Sequence, residues 1–563
     1  MSLFLQKLTA LDPAHDPAKR RWLYIPYDQL TDALGPLSRE QPDTLGIILI
    51  ESLWKGKRRP YHKQKLAWIL ANQRQFALEQ AARGVAVRYH FTHKAYAEIL
   101  EQEVRDLAQC IRLMRPAERE LRQNLEPLVA RGDLEILPHE GWLTDEETFL
   151  KSQGKKKSWR MDAFYREVRK KTGILMEDGS PEGGKYSHDA DNRQPWKGDP
   201  PAPTPPRFDH DEITTEVGEL IEAMFADHPG TLDLARVPAT RQHAEEAWSW
   251  SLRECMEHFG PYEDAMSTRS RTLFHTLLSP LVNLHRITPK RALEDVLALE
   301  LPLNSKEGFV RQLIGWREFM RHVHEQTDGL RRLPGRREDP EEDDAPGDAG
   351  WAAYREGGWE RSSSRGEGGA RPSFLGAERA LPAAFWGERS GLHCLDHVVE
   401  GVMETGYSHH IERLMILGNL ATLLDISPRH LTDWFWVAYI DAYDWVVEPN
   451  VLGMATFGVG DLFTTKPYVA GSNYINKMSD FCKSCAFNPR TTCPVTNLYW
   501  AFLDRHADML SDNLRMGLVY KNLERRGEEQ RALDASIFEV VIGALEEGRA
   551  LAPKDLKDLS PGS

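Results

Sequence analysis

Short apolar runs alternate with longer amphipathic stretches over the first quarter of the chain. Apolar runs occupy residues 22–25, 45–50, 85–89 and 134–137, and a long stretch of helical character fills residues 63–82. Strands separated by helices of this length are typical of a parallel sheet, because a parallel connection needs a crossover of about a dozen residues or more. No GxGxxG sequence follows these runs, so the pattern predicts a Rossmann-like α/β domain over residues 1–140 without the dinucleotide fingerprint.

The rest of the chain is mostly helical in pattern. From about residue 216 onward, apolar residues recur at spacings of three and four, which predicts an all-α domain over residues 216–525. A C-terminal helix and tail are expected over residues 526–563. Residues 141–215, which contain a proline-rich spacer, are predicted to connect the two domains. Residues 334–372 interrupt the helices, and the seven acids at 338–348 predict a disordered insertion.

Composition narrows the class of protein. The 563 residues with 41% apolar content predict two or more domains with real cores. The formal net charge is −14, so the overall charge of the chain does not indicate nucleic-acid binding. There is no run of about 18 apolar residues and no signal-peptide core. We therefore expect a cytoplasmic protein without a membrane-spanning helix.

One segment of the connector carries a local positive charge. Residues 155–171 hold eight basic and two acidic residues, a local charge of +6. The stretch is either a solvated surface helix or an edge that contacts DNA phosphates, and the interleaved Trp159, Phe164 and Tyr165 favour the second interpretation. The predicted phosphate contacts are Lys155, Lys156, Lys157 and Arg160.

Three of the six cysteines lie in one short segment. Cys482 and Cys485 form a CxxC, Cys493 precedes a proline, and Cys394 lies 88 residues before Cys482. In a reducing compartment such a group is more often metal-binding than a disulfide. Four thiolates suit zinc or an iron–sulfur cluster, and one CxxC with a remote cysteine favours the cluster. A disulfide or unliganded core thiols are the alternative.

Two short polar groups in the helical region are candidates for a ligand site. Thr276 and Ser279 precede a helix break, where they either hold a phosphate or serve only as a helix cap. His409 and His410 come just before Arg413, and His410 shares a helix face with Arg413.

Acidic residues mark a third group. Asp441, Asp444 and Glu448 are spaced by three and four along a largely apolar, aromatic segment. Three acids on such a face are costly unless they bind a ligand or face water. Trp316 stands beside Arg317 and Glu318, and an ordinary surface charge pair is the simpler explanation of this segment.

In chain order these features resemble the prokaryotic iron–sulfur photolyase/cryptochrome family, which includes bacterial 6-4 photolyases. The resemblance spans nearly the whole chain. Its most specific segments are Trp159-Arg160-Met161-Asp162-Ala163-Phe164-Tyr165-Arg166, Pro181-Glu182-Gly183-Gly184-Lys185, Gly315-Trp316-Arg317-Glu318-Phe319, His409-His410-Ile411-Glu412-Arg413-Leu414-Met415 and Lys466-Pro467-Tyr468.

The resemblance implies an architecture and a function. An N-terminal α/β antenna domain would precede an all-α domain that holds FAD and a [4Fe–4S] cluster. A monomer of this kind would use light and reduced flavin to repair pyrimidine–pyrimidone 6-4 photoproducts in UV-damaged DNA, after flipping the lesion out of the duplex. A cryptochrome-like blue-light receptor with weak or no repair is the alternative, and a flavin-free iron–sulfur protein that binds nucleic acid is a third.

The resemblance also implies roles for single residues. His409 and His410 would supply the proton for repair. The flavin contacts would be Tyr262, Thr276, Ser279, Arg413, Asp441, Asp444, Glu448 and Asn450, with Glu448 towards flavin N5. Electrons would travel through Trp434 and Trp386, and Gln312 and Trp316 would line the lesion pocket. A 6,7-dimethyl-8-ribityllumazine antenna would bind at Asp28, Gln29, Glu51 and Trp54. The cluster ligands would be Cys394, Cys482, Cys485 and Cys493.

Some positions depart from the family pattern. His275 replaces a hydroxyl residue at the start of the phosphate motif, and Phe435 stands where related proteins often have tyrosine. The segment Gly458-Val459-Gly460-Asp461 stands where related proteins have Ala-Asp-Gly-Gly, so the acid lies two positions later, at Asp461. None of these departures removes a cluster ligand or either of the paired histidines.

Overall fold

The structure, a computed structural model, describes residues 2–11, 16–155, 158–334, 370–557 and 559. Nearly all of the predicted disordered insertion therefore lies outside the described residues, as do Lys156 and Lys157. No helix among the described residues is long and apolar enough to cross a membrane.

A parallel sheet forms the centre of the N-terminal domain, as predicted, and it has five strands rather than the four that the sequence indicated. Its strands run in the order β3-β2-β1-β4-β5. They are β1 (Arg21–Tyr24), β2 (Leu45–Ser52), β3 (Ala86–Thr92), β4 (Ile111–Met114) and β5 (Leu134–Leu137). The strand order reverses between β1 and β4, and such a reversal opens a crevice at the carboxyl ends of the strands.

Two details of the sheet follow from the sequence. β2 is buried along nearly all of its length, which explains its continuous apolar composition. Gly46 of β2 pairs with Trp22 of β1, and a Cβ at Gly46 would lie 2.6 Å from the indole ring, so only glycine fits there. The sequence did not predict β4, because Arg112 interrupts its four residues; in the fold Arg112 pairs with Glu40 at 2.9 Å.

Helices cover the sheet and lead into the connector. They are Leu3–Leu11, Pro36–Arg39, Leu53–Arg58, Lys63–Ala82, Tyr96–Leu107, Arg119–Ala130, Glu146–Gln153 and Met161–Thr172. A two-stranded ribbon of Met176–Glu177 and Ser180–Pro181 follows. Trp159, Phe164 and Tyr165 are buried in the core, so these rings are not available to stack on bases. Their spacing among basic residues reflects a helix packed on its apolar face.

From residue 182 onward the described residues form helices and no strand, which confirms the predicted all-α region. The helices are Glu212–Met224, Arg241–Trp250, Met256–Phe259, Ser279–Asn283, Pro289–Ala298, Leu303–Val310, Glu318–Gln326, His393–Thr405, His410–Glu412, Asn419–Leu423, Pro428–Ala438, Asp444–Val447, Ser472–Met478, Pro494–Arg505, Ala507–Leu510, Gly517–Glu524, Glu528–Glu546 and Lys554–Lys557. Four π-helical turns, Ser251–Cys255, Arg311–Arg317, Arg413–Gly418 and Glu448–Ala455, join some of them.

Candidate functional site

A cavity of about 340 Å³ lies within the helical region. It is lined by eight of the residues predicted from the sequence: Thr276, Ser279, Gln312, Trp316, His410, Arg413, Asp441 and Asn450. Three of the π-helical turns contribute to its wall, and such turns are frequent at functional sites. A largely apolar wall with a few convergent polar groups is typical of a small-molecule site.

An ion pair holds one side of this cavity. Both terminal nitrogens of Arg413 donate to the Asp441 carboxylate at 3.0 Å, and the Ser279 hydroxyl donates to the same carboxylate at 2.6 Å. Burial disfavours the charge on Arg413, but the Asp441 carboxylate outweighs it, so the pKa of Arg413 is raised. The guanidinium also lies 4.3 Å from the centre of the Tyr439 ring. The arrangement fixes a paired charge at the wall of a largely apolar cavity.

Three histidines, rather than the predicted two, meet beside this ion pair. The rings of His275 and His409 are stacked, with centres 4.4 Å apart and planes 7° apart, and the centre of His410 lies 5.4 Å from that of His275. His275 and His410 line the cavity, and His409 is buried behind them. The sequence offered one signal for His275, its substitution for a hydroxyl residue.

The three histidines differ in their protonation environment. The His410 side chain is 44% exposed, whereas His409 is fully buried. Burial, helped by the nearby histidines and Arg413, lowers the pKa of His409 well below its ordinary value, and burial does the same to the pKa of His275. The buried pair is therefore neutral near pH 7, and His410 is the exposed histidine on the cavity wall.

Polar groups surround His410 where it faces outward. Its Nε2 lies 3.7 Å from the Asp264 carboxylate, which in turn lies 3.7 Å from Nε of Arg193. Burial and, to a lesser extent, the charge of Asp264 raise the pKa of Tyr474. Asp264 and Arg193 were not predicted, because isolated surface charges leave no pattern in a single sequence.

Three residues predicted to bind the flavin do not line the cavity. The Glu448 carboxylate is buried among His324 Nε2 at 3.0 Å, Arg429 Nη1 at 3.1 Å and Arg331 Nη1 at 3.5 Å. Burial raises its pKa, but Arg331 and His324 outweigh this and bring it down to about 2. The expectation that Glu448 faces the flavin is not supported by this arrangement.

Asp444 and Tyr262 also point elsewhere. The Asp444 carboxylate accepts the backbone N–H of Glu120 at 3.1 Å and so ties the helical region to the N-terminal domain. Tyr262 donates to the Asp199 carbonyl at 3.2 Å and stacks on Phe274 with ring centres 5.3 Å apart. Neither side chain is among those that line the cavity.

An aromatic route leads away from the cavity. Phe435 lines the wall, and its ring centre lies 5.1 Å from that of Trp434. The ring centre of Trp386 lies 6.3 Å from that of Trp434, with the planes at 85°. Trp434 is buried and Trp386 is half-buried. The two tryptophans predicted as electron carriers are thus neighbours, and Phe435 stands between them and the cavity.

The four predicted cluster ligands converge. Cys394, Cys482, Cys485 and Cys493 line one small cavity with apolar walls and form no disulfide. Burial, reinforced by the other three thiols, raises the pKa of Cys394, and burial raises that of Cys482 to about 11. Within the described residues no group of three or more His, Cys, Asp or Glu side chains is placed to hold a single metal ion.

The four residues predicted to bind an antenna contact different partners within the N-terminal domain. Glu51 accepts two hydrogen bonds from Arg74, at 2.7 and 2.9 Å, and Trp54 lies under Arg58. Gln29 donates to the backbone carbonyls of Met114 and Arg115 at the carboxyl end of β4. Asp28 is buried, which raises its pKa to about 7.

Neighbours of the predicted antenna residues do meet around a small cavity of about 60 Å³ at the carboxyl end of the sheet. Tyr27, Ser52 and Lys55 line it together with Glu118 and Tyr443. None of these five side chains is among the residues predicted to bind an antenna.

The basic connector is less positive than its composition suggests. Arg169 is buried and donates to backbone carbonyls, and Lys171 and Arg166 lie near Asp145 and Asp162. Lys155 is exposed. Arg160 is half-buried and donates to the Trp159 and Asp461 carbonyls.

A parallel-sheet domain followed by a helical region that encloses an ion-paired, histidine-bordered cavity is the architecture of the photolyase/cryptochrome class. Residues 23–236 match the family described as deoxyribodipyrimidine photo-lyase-related protein. The chain is 32% identical over 529 residues to a (6-4) photolyase of Agrobacterium fabrum, covering 90% of this chain and 95% of that protein. The chain belongs to the bacterial photolyase family.

A solved structure agrees on the fold. The crystal structure of a bacterial class III photolyase from Agrobacterium tumefaciens matches with a TM-score of 0.51 at 14% identity, covering 94% of this chain and 98% of that chain. The photolyase/cryptochrome fold predicted from the sequence is therefore confirmed, as is the predicted family.

Proposed function

We propose that this protein repairs pyrimidine–pyrimidone 6-4 photoproducts in UV-damaged DNA with the energy of light. The observation that carries the proposal is the position of His410. It is a partly exposed histidine on the wall of a cavity that also presents the Arg413–Asp441 pair. The similarity to a (6-4) photolyase over nearly the whole chain supports the same activity.

The residues of the large cavity suit a flavin. Arg413, Asp441 and Ser279 form one connected polar group, with Thr276 and Asn450 elsewhere on the wall, and the remaining wall is largely apolar. Apolar walls would cover the ring system, and the polar groups would fix its orientation. A reduced flavin bound here would supply, on excitation by blue light, the electron for the lesion.

His410 would handle the proton. A general acid must lie within reach of the reacting group, and His410 is the one of the paired histidines that lines the cavity. It would donate a proton to the lesion and recover it when the bases are restored. His409 would keep the His410 backbone in place, because its own ring is buried and stacked on His275.

The aromatic route would serve reduction of the cofactor. Trp434 and Trp386 would carry electrons from the protein surface toward the cavity, with Phe435 as the nearest ring. This route is needed only to generate the reduced cofactor, so it is separable from repair itself.

The four cysteines suit a [4Fe–4S] cluster. Thiolates bound to one zinc ion at about 2.3 Å lie at most about 4.6 Å from each other, whereas cluster ligands are spread over several irons. Four cysteines that line one cavity fit the ligand set of a cluster. Cys394, Cys482, Cys485 and Cys493 would hold the cluster in a structural role.

A lumazine antenna and the DNA complete the proposal. The antenna would lie near Asp28, in the small cavity at the carboxyl end of the sheet. Lys155 and Arg160, with Lys156 and Lys157, would contact DNA phosphates. The protein would act as a monomer in the cytoplasm.

The test of this function compares two lesions. Oligonucleotides of the same sequence carry either a 6-4 photoproduct or a cyclobutane dimer, and each is incubated with purified protein in blue light or in the dark. Loss of the 6-4 lesion in the light but not in the dark supports the proposal. Light-dependent loss of only the cyclobutane dimer would show that the dimer, not the 6-4 photoproduct, is the substrate. Flavin absorbance without repair of either lesion would favour the receptor function.

A further inference from the structure

A second cavity, of about 210 Å³, lies where the two domains and the connector meet. Gln64 and Trp68 of the helix Lys63–Ala82 line one part of it, and residues 204–208 of the connector line another. The rest of the lining comes from the helical region. Ligand sites are frequent at domain interfaces. Of the site residues predicted from the sequence, Thr276 alone belongs to this cavity, so it is distinct from the predicted antenna, lesion and cluster sites.

The second cavity shares a wall with the large one. Thr276, Leu277 and Tyr407 line both cavities. Leu277 has a φ of +53°, a left-handed conformation that a leucine keeps only where its surroundings enforce it. The Ser251 hydroxyl donates to the Thr276 carbonyl at 2.6 Å and holds the same segment. The shared wall is therefore a fixed part of the fold.

Cations but no acids line the second cavity. Its charged residues are Arg207, Arg236 and Arg271, and among the described residues no aspartate or glutamate belongs to the lining. The Asp233 carboxylate, which lies outside the lining, pairs with Arg207 and with Arg236 at 3.0 Å each. Three guanidinium groups around one cavity favour an anionic ligand, because a guanidinium binds phosphate or carboxylate through paired hydrogen bonds.

Arg271 is the least tightly paired of the three arginines. Its guanidinium lies 3.5 Å from the Glu404 carboxylate and 3.7 Å from that of Glu400, and both glutamates are exposed. Exposed ion pairs of this kind contribute little to stability. The guanidinium is nevertheless held in position, because its Nη1 donates to the His397 carbonyl at 2.8 Å. Arg271 can therefore bind an anion without the loss of a strong ion pair.

Aromatic rings are the other feature of this cavity. Trp68, Phe208 and Trp250 are buried, and they line the cavity together with the half-buried Tyr407. Aromatic side chains bind planar rings by stacking or by edge-to-face contact. The cavity thus offers aromatic surface for a planar ring and guanidinium groups for a negative charge.

We propose that the second cavity binds a small mononucleotide-like ligand, a planar aromatic ring that carries one anionic group. The ring would pack against the aromatic side chains, and the anion would bind Arg271. The volume is below the range of about 300–1,000 Å³ that is typical of drug-sized ligands, so it suits a single ring system. The ligand would contact Thr276 and Leu277 from the side opposite the large cavity. This site does not depend on which lesion the protein repairs.

The test measures the binding of two probes to the purified holoprotein by titration calorimetry. Adenosine 5′-monophosphate carries a ring and a phosphate, and adenosine carries the ring alone. The monophosphate should bind about tenfold more tightly than adenosine, because a charge-assisted contact to Arg271 is available only to the phosphate. Arg271→Gln should weaken the monophosphate about tenfold and change adenosine by less than about twofold. Trp250→Leu should weaken both probes equally, because both stack on the same rings.

Arg253→Gln is the matched control, since Arg253 is an exposed arginine of the helical region that lines neither cavity. It should change the affinity of neither probe. Small molecules released by denaturation are identified by mass spectrometry, and a non-flavin aromatic anion released from wild type but not from Arg271→Gln would also support the site. Absence of both probe binding and such a compound would overturn it, as would monophosphate binding that Arg271→Gln leaves unchanged. Displacement of flavin by the monophosphate would place the probe in the large cavity and overturn a separate site.

Discussion

Replacing His410 by alanine should separate repair from cofactor chemistry. General acid catalysis contributes about 10²–10⁴-fold, and 10²-fold corresponds to roughly 2.7 kcal/mol of barrier. The His410 side chain is 44% exposed, so its removal should change the free energy of unfolding by only about 0.5 kcal/mol. We therefore expect the variant to keep its flavin spectrum and its photoreduction while repairing the 6-4 lesion at least about 100-fold more slowly.

The assay uses chemically reduced protein, because this bypasses the electron route. Repair is followed as the rate at which intact pyrimidines reappear in a 6-4 oligonucleotide under blue light. His93→Ala is the control for a generic histidine effect, since His93 is exposed in the N-terminal domain. Normal repair by His410→Ala, together with normal repair by the control, would refute the catalytic role of His410.

His409 provides a contrast within the same assay. Its ring is fully buried against His275, so His409→Ala leaves a cavity and should destabilise the fold by on the order of 3 kcal/mol. Its repair defect should therefore accompany a lower denaturation midpoint, whereas the defect of His410→Ala should not. A His409→Ala protein that is stable but loses repair would instead indicate that His409, not His410, donates the proton.

Three further predictions follow from the described contacts. Trp434→Phe should slow photoreduction in light-pulse absorbance yet preserve repair by chemically reduced protein, and slower repair there would contradict a route used only for reduction. Cys482→Ala should give cluster-free or insoluble protein, whereas Cys110→Ala should keep full iron by elemental analysis; full iron in a soluble Cys482→Ala protein would exclude the cluster site. Burial lowers the pKa of His285 from 6.5 to about 4. A histidine that is neutral in the fold stabilises it above pH 6.5, and this contribution of roughly 3 kcal/mol is lost as the pH falls toward 4. His285→Gln should flatten the fall in urea-unfolding stability between pH 7 and pH 4, and an unchanged pH dependence would show that His285 is not a source of it.

The sequence predicted well those elements whose burial produces a continuous or regularly spaced pattern of apolar residues. The apolar run of β2 follows from burial on both faces, and the helical region follows from spacings of three and four. β4 was missed because Arg112 finds a partner, Glu40, that lies 72 residues away along the chain. Local pattern does not report such partners.

The same limit explains the outcomes in the candidate site. The resemblance supplied Arg413 and Asp441, and the structure pairs them across 28 residues. Glu448 was expected at the cavity, but its partners come from distant parts of the chain, such as His324, 124 residues away. Trp159 and its neighbours looked like a nucleic-acid surface because spacing alone does not distinguish a buried ring from an exposed one.

The most direct test of the central claim is repair by the wild-type protein itself. Flavin content is first measured by absorbance, and the protein is then chemically reduced, mixed with a 6-4 oligonucleotide, and either illuminated at blue wavelengths or kept dark. The proposed function predicts restored pyrimidines in the illuminated sample and none in the dark sample. A flavin-containing, fully reduced protein that restores no lesion under light would contradict it.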